Sequence, residues 1–137
     1  MEDDFLITDI MITLGYWGVR GRAHTLRLLL EYTGTNWQET TYTNDSDWFD
    51  RDKPALGLPF PNLPYLIDGT LKLTETTAIA RYIIDRSCKQ ELLGIDIKDR
   101  AIVNNLVGVI ADCNDAFAAI LYQKNGLSSR DTSWKRI

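Results

Sequence analysis

The sequence is poor in the residues that build metal sites and redox centres. Its 137 residues include one histidine, His24, and two cysteines, Cys88 and Cys113, which do not form a CxxC pair. A single histidine leaves little from which to build a histidine-based metal site or a Ser-His-Asp triad. Separated cysteines are typical of reduced thiols in a cytosolic protein, with a disulfide or redox pair as the alternative. We therefore expect no bound metal and a cytoplasmic location.

Basic clusters, nucleotide-binding loops and long apolar runs are also missing. The net charge is −4, and the lysines and arginines are scattered along the chain. This distribution does not favour nucleic acids or anionic membranes as partners. No apolar run approaches the roughly 20 residues of a membrane helix. The glycines at 15, 18 and 21 match neither GxGxxG nor a phosphate-binding loop. The acidic start, Met1 to Asp4, is unlike a secretory signal.

The first half of the chain shows the alternation of strand and helix patterns that is typical of a mixed α/β domain. Hydrophobic residues make up 45% of the sequence, as in globular proteins. The pattern predicts a short strand Ile12–Leu14 closed by Gly15, a loop Tyr16–Arg22, a helix Ala23–Thr33 ending at Gly34, a strand Trp37–Tyr42 and a long loop Thr43–Pro61.

A hairpin and two helices are predicted after this loop. Asp68-Gly69 is a hairpin turn between the strands Pro64–Ile67 and Leu71–Leu73. Thr74 is then expected to cap a helix that has Glu75 in its first turn and runs to about Arg86. A longer helix is expected from Ile97 to about Gln123. Because one helix cannot bury both its sides, it needs the first domain, a partner chain or further helices.

Two short motifs in the first half could carry chemistry. Tyr16-Trp17 follows the first strand, at the sheet edge where ligands often bind in α/β folds. The hydroxyl of Tyr16 could stabilise a bound thiolate, or the aromatic pair could simply pack over the first helix. Asn62-Leu63-Pro64 precedes the hairpin. A cis Pro64 would turn the N–H and C=O of Leu63 toward an extended peptide, whereas a trans proline would be an ordinary strand edge.

Two further motifs lie on predicted helices. Thr74-Glu75-Thr76 opens a helix whose N–H groups suit a carboxylate, with Glu75 facing a ligand amino group; a simple cap is the alternative. Asp112 and Tyr122 lie near the end of the long helix, where Asp112 alone could be merely solvated.

Together these motifs resemble the mu-class cytosolic glutathione transferases. The opening MITLGYWGVRGRAHTLRLLLEYTG is similar to the start of that class, which has LGYW, then RG and RLLLEY. The segment LGLPFPNLPYLIDGTLKLTETTAIARYI is similar to its FPNLPYLIDG stretch, in the same order and spacing. The resemblance covers about Met11 to Tyr122.

The resemblance implies a thioredoxin-like α/β domain followed by an all-α domain, in a homodimer that conjugates glutathione to hydrophobic electrophiles. On this basis residues 1–10 form an N-terminal extension, 11–88 the glutathione-binding domain, 89–96 a linker and 97–137 the start of an incomplete all-α domain. Tyr16 would stabilise the glutathione thiolate; the other implied glutathione contacts are Trp17, Trp48, Lys53, Asn62, Leu63, Pro64, Glu75, Thr76 and, reaching the neighbouring subunit, Asp112. Tyr122 would line the electrophile pocket. Glutathione is then a co-substrate, and no cofactor, metal, nucleic acid or membrane is implied.

Some residues depart from the mu pattern. Glu75-Thr76 replaces a Gln-Ser pair, Asp45 replaces an arginine, the mu-specific loop is missing, and one extra residue separates Trp48 from Lys53. The class therefore stays open between mu-like and sigma-like. After Tyr122 the resemblance ends, where the family continues with several helices. We expect this chain alone to bind glutathione weakly and conjugate it poorly; the alternative function is a non-catalytic glutathione-fold protein or an inactive fragment.

Overall fold

The computed structural model describes residues 11–122, so the predicted N-terminal extension and everything after Tyr122 lie outside the described residues. A four-stranded mixed sheet has the order β2-β1-β3-β4. The elements in chain order are β1 Ile12–Trp17, α1 His24–Thr33, β2 Trp37–Tyr42, α2 Lys53–Ala55, β3 Tyr65–Asp68, β4 Leu71–Thr74, α3 Thr76–Arg86 and α4 Ile97–Tyr122. This confirms the predicted thioredoxin-like α/β arrangement of a βαβ unit followed by a hairpin and a helix.

Strand β1 is longer than predicted. It pairs in parallel with β2 from Ile12 opposite Trp37 to Trp17 opposite Tyr42. The prediction that Gly15 closes the strand and that Tyr16 begins a loop is therefore wrong. The local sequence does not indicate the longer strand, because it is the hydrogen-bonded pairing with β2 that keeps the backbone extended past Gly15.

Gly15 is required by its neighbour on β3. In the antiparallel ladder between β1 and β3, Gly15 lies opposite Tyr65. A Cβ atom on Gly15 would lie 2.1 Å from two carbons of the Tyr65 ring, well inside contact distance. Glycine is needed here because any side chain at this position would occupy the space of the Tyr65 ring.

The core lies between the sheet and the helices α1 and α3, which contact each other. It joins inward-facing strand residues to the apolar stripes of both helices: Ile12, Leu14 and Leu66 from the sheet, Leu26 and Leu30 from α1, and Ile79 and Ile83 from α3. Helix α1 ends as predicted at Gly34, whose φ of 65° and backbone N–H bonds to Glu31 and Leu30 form a left-handed cap.

The prediction of a loop from Thr43 to Pro61 is wrong for the middle of this segment, which is helical. A π-helical segment, Asp47–Asp52, runs directly into α2. The segment folds because Trp48, only 2% exposed, packs between the rings of Tyr42 and Tyr65. The polar local sequence does not indicate a helix, because the segment has no apolar stripe and is held by the packing of Trp48.

Hydrogen bonds reinforce that anchor. The Tyr42 hydroxyl donates to Asp52 Oδ2 at 2.7 Å and also lies 3.0 Å from the Tyr65 hydroxyl. Burial raises the pKa of Tyr42 far above its ordinary value, with contributions from both hydrogen bonds. Hydrogen bonds from Arg51 and Tyr42 lower the pKa of Asp52. The helical segment is therefore attached to the sheet through a neutral phenol and an ionised carboxylate.

A buried ion pair attaches the hairpin to α3. Arg86 Nε donates to Asp68 Oδ2 at 2.6 Å, and both side chains are 6% exposed. The Tyr82 hydroxyl donates to the same oxygen at 2.6 Å, and burial raises the pKa of Tyr82 to about 12. Asp68, predicted as a turn residue, is therefore also the acceptor at the centre of a buried network.

The chain divides between Gln90 and Glu91 into two compact units. Helix α4 belongs to the second, and it runs from Ile97 as predicted. Many of its apolar side chains are exposed, Ile102, Leu106, Ile110 and Phe117 among them. None of the helices within residues 11–122 has both the length and the apolar character needed to cross a membrane.

We predict that Asp68→Asn destabilises the fold by roughly 3 kcal/mol, the lower end of what breaking one partner of a buried pair costs. The change removes the negative charge that compensates buried Arg86. Urea unfolding followed by circular dichroism measures the loss. Asp45→Asn, at an exposed carboxylate, is the matched control and should change stability by less than about 0.5 kcal/mol. Equal effects of both changes would contradict the assigned role.

Gly15→Ala and Gly108→Ala should have opposite effects. The first adds a methyl group into the Tyr65 ring and should destabilise the first unit by roughly 1–3 kcal/mol or prevent its folding. The second adds a methyl group to α4 with nothing within 4 Å. It should raise helix stability by about 0.5–1 kcal/mol. Thermal unfolding of both variants tests the pair, and a neutral Gly15→Ala would refute the packing argument.

Candidate functional site

Tyr16 lies near the end of β1, and the chain folds back over its hydroxyl. The backbone N–H of Arg22 donates to the Tyr16 hydroxyl oxygen at 3.0 Å. A phenol can accept one hydrogen bond and donate another, and accepting one strengthens its own donation. Tyr16 is 7% exposed, so its ring is fixed by packing. The result is an oriented hydroxyl near the C-terminal end of a central strand.

Gly21 makes this arrangement possible. It begins a short 3-10 turn, Gly21–Ala23, and its φ is +40°. A Cβ atom there would lie 2.6 Å from the Tyr16 hydroxyl oxygen. Both the backbone angle and the space therefore call for glycine. Sequence reasoning noted the glycine spacing but not this contact.

The N-terminus of α3 differs from the prediction. Thr74 does not cap the helix; it is a buried residue at the end of β4, paired with Tyr65. Glu75 takes the cap position with φ 71° and ψ 115°. This backbone conformation is rare for a residue with a side chain and costs on the order of 1–3 kcal/mol. Such strain often accompanies a functional position, and the sequence Thr-Glu-Thr gave no hint of it.

The Leu63–Pro64 peptide bond is cis, the first of the two alternatives that the sequence left open. The Leu63 N–H, which a cis bond was expected to turn toward a peptide ligand, is bound within the protein. Asn62 Oδ1 accepts that N–H at 2.9 Å, while Leu63 itself is 8% exposed. The short side chain of Asn62 reaches its neighbour's N–H, a local contact typical of asparagine. A peptide ligand that used this N–H would have to displace Asn62.

These segments border one open cleft of about 320 Å³. Its walls come from the 3-10 turn, from the segment before β3 and from the start of α3: Arg22, Asn62, Leu63, Pro64, Glu75 and Thr76. Five of these were predicted as site residues. Arg22 was missed, although a charged residue beside Gly21, six positions after Tyr16, could have suggested it.

Besides Tyr16, three predicted residues of the first unit are not among those that line the cleft. The indole of Trp48 is almost fully enclosed, between Tyr42 and Tyr65. Trp17 packs against Tyr42 and Phe49, with ring centroids 6.1 and 6.2 Å apart. Lys53 Nζ lies 5.2 Å from the centroid of the Phe49 ring. Their glutathione contacts stay predictions, and the burial of Trp48 leaves little of its ring available to any ligand.

The two remaining predicted residues lie on α4, in the second unit. Asp112 is exposed, and Tyr122 is the last residue of the helix. Their roles toward glutathione and the electrophile stay predictions.

The cleft combines opposite charges with backbone groups. Arg22 carries a positive charge on one wall, and Glu75 carries a negative charge beside the N-terminus of α3. A helix N-terminus attracts carboxylates, a cation attracts them too, and a carboxylate attracts an ammonium group. The segment before β3 adds an Asn amide. This set of groups suits a small zwitterionic peptide.

Comparisons with known proteins match most of the first unit to one family. Residues 12–85 match the family model described as the glutathione S-transferase N-terminal domain. Glutathione S-transferase 2 of Gallus gallus is 45% identical over 120 residues, 82% of this chain and 53% of that protein. Glutathione S-transferase Mu 1 of Bos taurus is 48% identical over 115 residues, 80% of this chain and 51% of that protein. The chain spans about half the length of the curated relatives it matches.

A solved structure shares the fold. A nematode GST from C. elegans superposes with a TM-score of 0.73 at 22% identity, over 93% of this chain and 64% of that one. The match to the family model covers more than half of the chain, and the identity to mu-class relatives is far above what fold likeness alone gives. The chain belongs to the glutathione S-transferase family.

Proposed function

We propose that residues 11–90 bind glutathione in the cleft, and that the whole protein conjugates glutathione through its sulfur to hydrophobic electrophiles. The observation that carries this proposal is the Tyr16 hydroxyl, which accepts a hydrogen bond at 3.0 Å from the backbone N–H of Arg22, a residue that lines the cleft. Family membership supports glutathione as the ligand in general. The finer assignment of groups rests on charge and geometry.

The γ-glutamyl end of glutathione fits the start of α3. Its ammonium group would pair with Glu75, and its carboxylate would meet the N–H groups and the Thr76 hydroxyl at the helix N-terminus. The cysteinyl backbone would pair with Leu63 as an added strand, displacing Asn62 from the Leu63 N–H. The glycyl carboxylate would extend toward Trp48 and Lys53. This orientation brings the cysteinyl sulfur between the hairpin side of the cleft and Tyr16.

Tyr16 would then act on the sulfur. A hydrogen bond from its hydroxyl favours the thiolate over the thiol, so more of the bound glutathione is ionised at neutral pH. The thiolate is the nucleophile that attacks the electrophilic carbon and forms the new S–C bond. In a substitution the leaving group departs with the electron pair of the broken bond, and in an addition the pair moves onto the rest of the electrophile. From the resemblance we also propose that Tyr122 lines the electrophile pocket and that Asp112 contacts the glutathione of a homodimer partner.

Replacing Tyr16 tests the chemical step directly. In Tyr16→Phe the bound thiol loses one hydrogen bond to its charged form, worth roughly 1.5–3 kcal/mol. The pKa of the bound glutathione thiol should therefore rise by roughly one to two pH units. The measurement is the ultraviolet absorbance of the thiolate in the complex as a function of pH. The dissociation constant of glutathione should change by a much smaller factor than the acid dissociation constant of the bound thiol.

Tyr32→Phe is the matched control, because Tyr32 on α1 is 67% exposed. It should leave the pKa of the bound thiol unchanged. If Tyr16→Phe and the unchanged chain ionise bound glutathione equally, Tyr16 has no role on the thiolate. If glutathione binds but stays a thiol in both, the chain is a glutathione-binding protein without activation.

Glu75 should show opposite effects on stability and on binding. Glu75→Gly relieves the strained backbone, and after the entropic cost of glycine a net gain of up to about 1 kcal/mol is expected. Glu75→Gln keeps the strain, so its stability should stay near that of the unchanged chain. Both variants lose the charge for the ligand ammonium. Glutathione affinity should fall by about fivefold, as for an exposed ion pair of about 1 kcal/mol.

Isothermal titration and thermal unfolding provide the two measurements for Glu75. Cysteinylglycine, which lacks the γ-glutamyl group, is the ligand control and should bind all three proteins equally. A loss of stability in Glu75→Gly would contradict the strain argument. An unchanged glutathione affinity in Glu75→Gln would remove Glu75 from the site.

A further inference from the structure

The guanidinium of Arg27, on α1, connects three parts of the fold. Its Nε and Nη2 donate to Glu39 Oε1 on β2, at 2.9 and 2.5 Å. Its Nη1 donates to the carbonyls of Val19 and Arg20, at 2.9 and 3.1 Å. Nη2 also reaches the Trp17 carbonyl at 3.4 Å. One side chain thus fastens the turn that follows β1 to both α1 and β2.

Two backbone hydrogen bonds within residues 11–122 also hold that turn. The Gly18 N–H donates to the Tyr42 carbonyl at 2.9 Å, which continues the ladder by one residue. The Val19 N–H donates to the nearby Trp17 carbonyl at 2.7 Å. The two carbonyls that Arg27 holds come next, immediately before Gly21 and Arg22. The position of the Arg22 N–H over the Tyr16 hydroxyl therefore depends on how Arg27 fixes the turn.

The same guanidinium also lies over the Tyr16 ring, with Cζ 5.9 Å from the ring centroid. A cation over an aromatic face is attracted by the ring electrons. A positive charge beside the ring also draws electron density away from the O–H bond, which makes the hydroxyl a stronger hydrogen-bond donor. The side chain is 20% exposed, so water screens this effect only in part.

We propose that Arg27 is a positioning residue for Tyr16: it holds the turn that brings the Arg22 N–H to the Tyr16 hydroxyl, and its charge polarises that hydroxyl for donation to a bound thiolate. The inference rests on the proposed function and adds a residue outside the cleft to it. The charged groups that the contacts place around Tyr16 are Arg27, its partner Glu39 and Arg22. Lysine could not replace Arg27 fully, because a point charge lacks the planar set of donors that reaches carboxylate and carbonyls together.

The test compares Arg27→Gln, Arg27→Lys and Glu39→Gln in the 137-residue chain with glutathione bound. Loss of the cation and of the turn contacts in Arg27→Gln should raise the pKa of the bound thiol by roughly half to one pH unit. That is about a three- to tenfold loss of thiolate near neutral pH. Arg27→Lys keeps the charge but not the planar set of donors. The thiol pKa in this variant should therefore lie between the values in the unchanged chain and in Arg27→Gln. Glu39→Gln breaks the same ion pair but keeps the cation and the turn, so the thiol pKa should not rise.

Two further measurements separate positioning from structural support. Binding of S-methylglutathione, whose sulfur carries no proton, should change little in any variant. In a Tyr16→Phe background, Arg27→Gln should cause no further rise of the thiol pKa, because it acts through the hydroxyl. Circular dichroism verifies folding, and Arg27→Lys carries the comparison if Arg27→Gln does not fold.

The outcomes distinguish this inference from the function beneath it. A chain with Arg27 intact that binds no glutathione, or binds it without thiolate, contradicts the proposed function and the inference together. Thiolate in that chain and an unchanged pKa in Arg27→Gln overturns the inference alone. So does an equal rise in Glu39→Gln, which would show that only the ion pair matters, or an equal rise in the Tyr16→Phe background.

Discussion

The hydrogen bond from the Arg22 N–H to the Tyr16 hydroxyl is the contact on which the site depends. It joins the end of β1 to the 3-10 turn and so gives the phenol a fixed orientation. The bond requires a residue without a side chain at Gly21, because a Cβ atom would occupy the place of the hydroxyl. It also requires a turn of defined shape, which Arg27 holds through two carbonyls. The local geometry of one hydroxyl thus rests on contacts from α1 and from the turn.

Rigidity of the surrounding sheet comes from packing that is unusually aromatic on one side. Trp48, Tyr42 and Tyr65 contact one another, and Gly15 leaves room for the Tyr65 ring in the neighbouring strand. The hydroxyls of the two tyrosines are satisfied by a hydrogen bond to each other and by one from Tyr42 to Asp52. Both the βαβ unit and the hairpin are fixed by this cluster, and the cleft lies between segments attached to them.

Elements with a periodic or turn-specific sequence could be predicted, and elements held by single tertiary contacts could not. The apolar spacing of α1, the weak alternation of β2 and the Asp68-Gly69 turn each identify their element. The helical segment Asp47–Asp52 could not be found, because a single buried tryptophan holds it. The sequence predicted a loop at Tyr16 and Trp17 because a glycine precedes them. In the fold they belong to β1, because pairing with β2 outweighs the effect of that glycine. In the cleft, the motifs indicated Asn62, Pro64 and Glu75. The strained backbone of Glu75 depends on three-dimensional placement, which no local pattern encodes, whereas the charge beside Gly21 could have suggested Arg22.

Asp68 has a consequence for the chemical lifetime of the chain. An aspartate followed by glycine ages by forming a succinimide, when its carboxyl carbon is attacked by the next backbone nitrogen and the chain isomerises. In the fold, Tyr82 and Arg86 both bind the Asp68 carboxylate from the side of α3. An ionised, doubly held carboxylate is a poor electrophile and cannot rotate freely toward the Gly69 nitrogen. The ion pair that attaches the hairpin to α3 therefore also protects the turn from isomerisation, and each excursion to the unfolded state exposes it again.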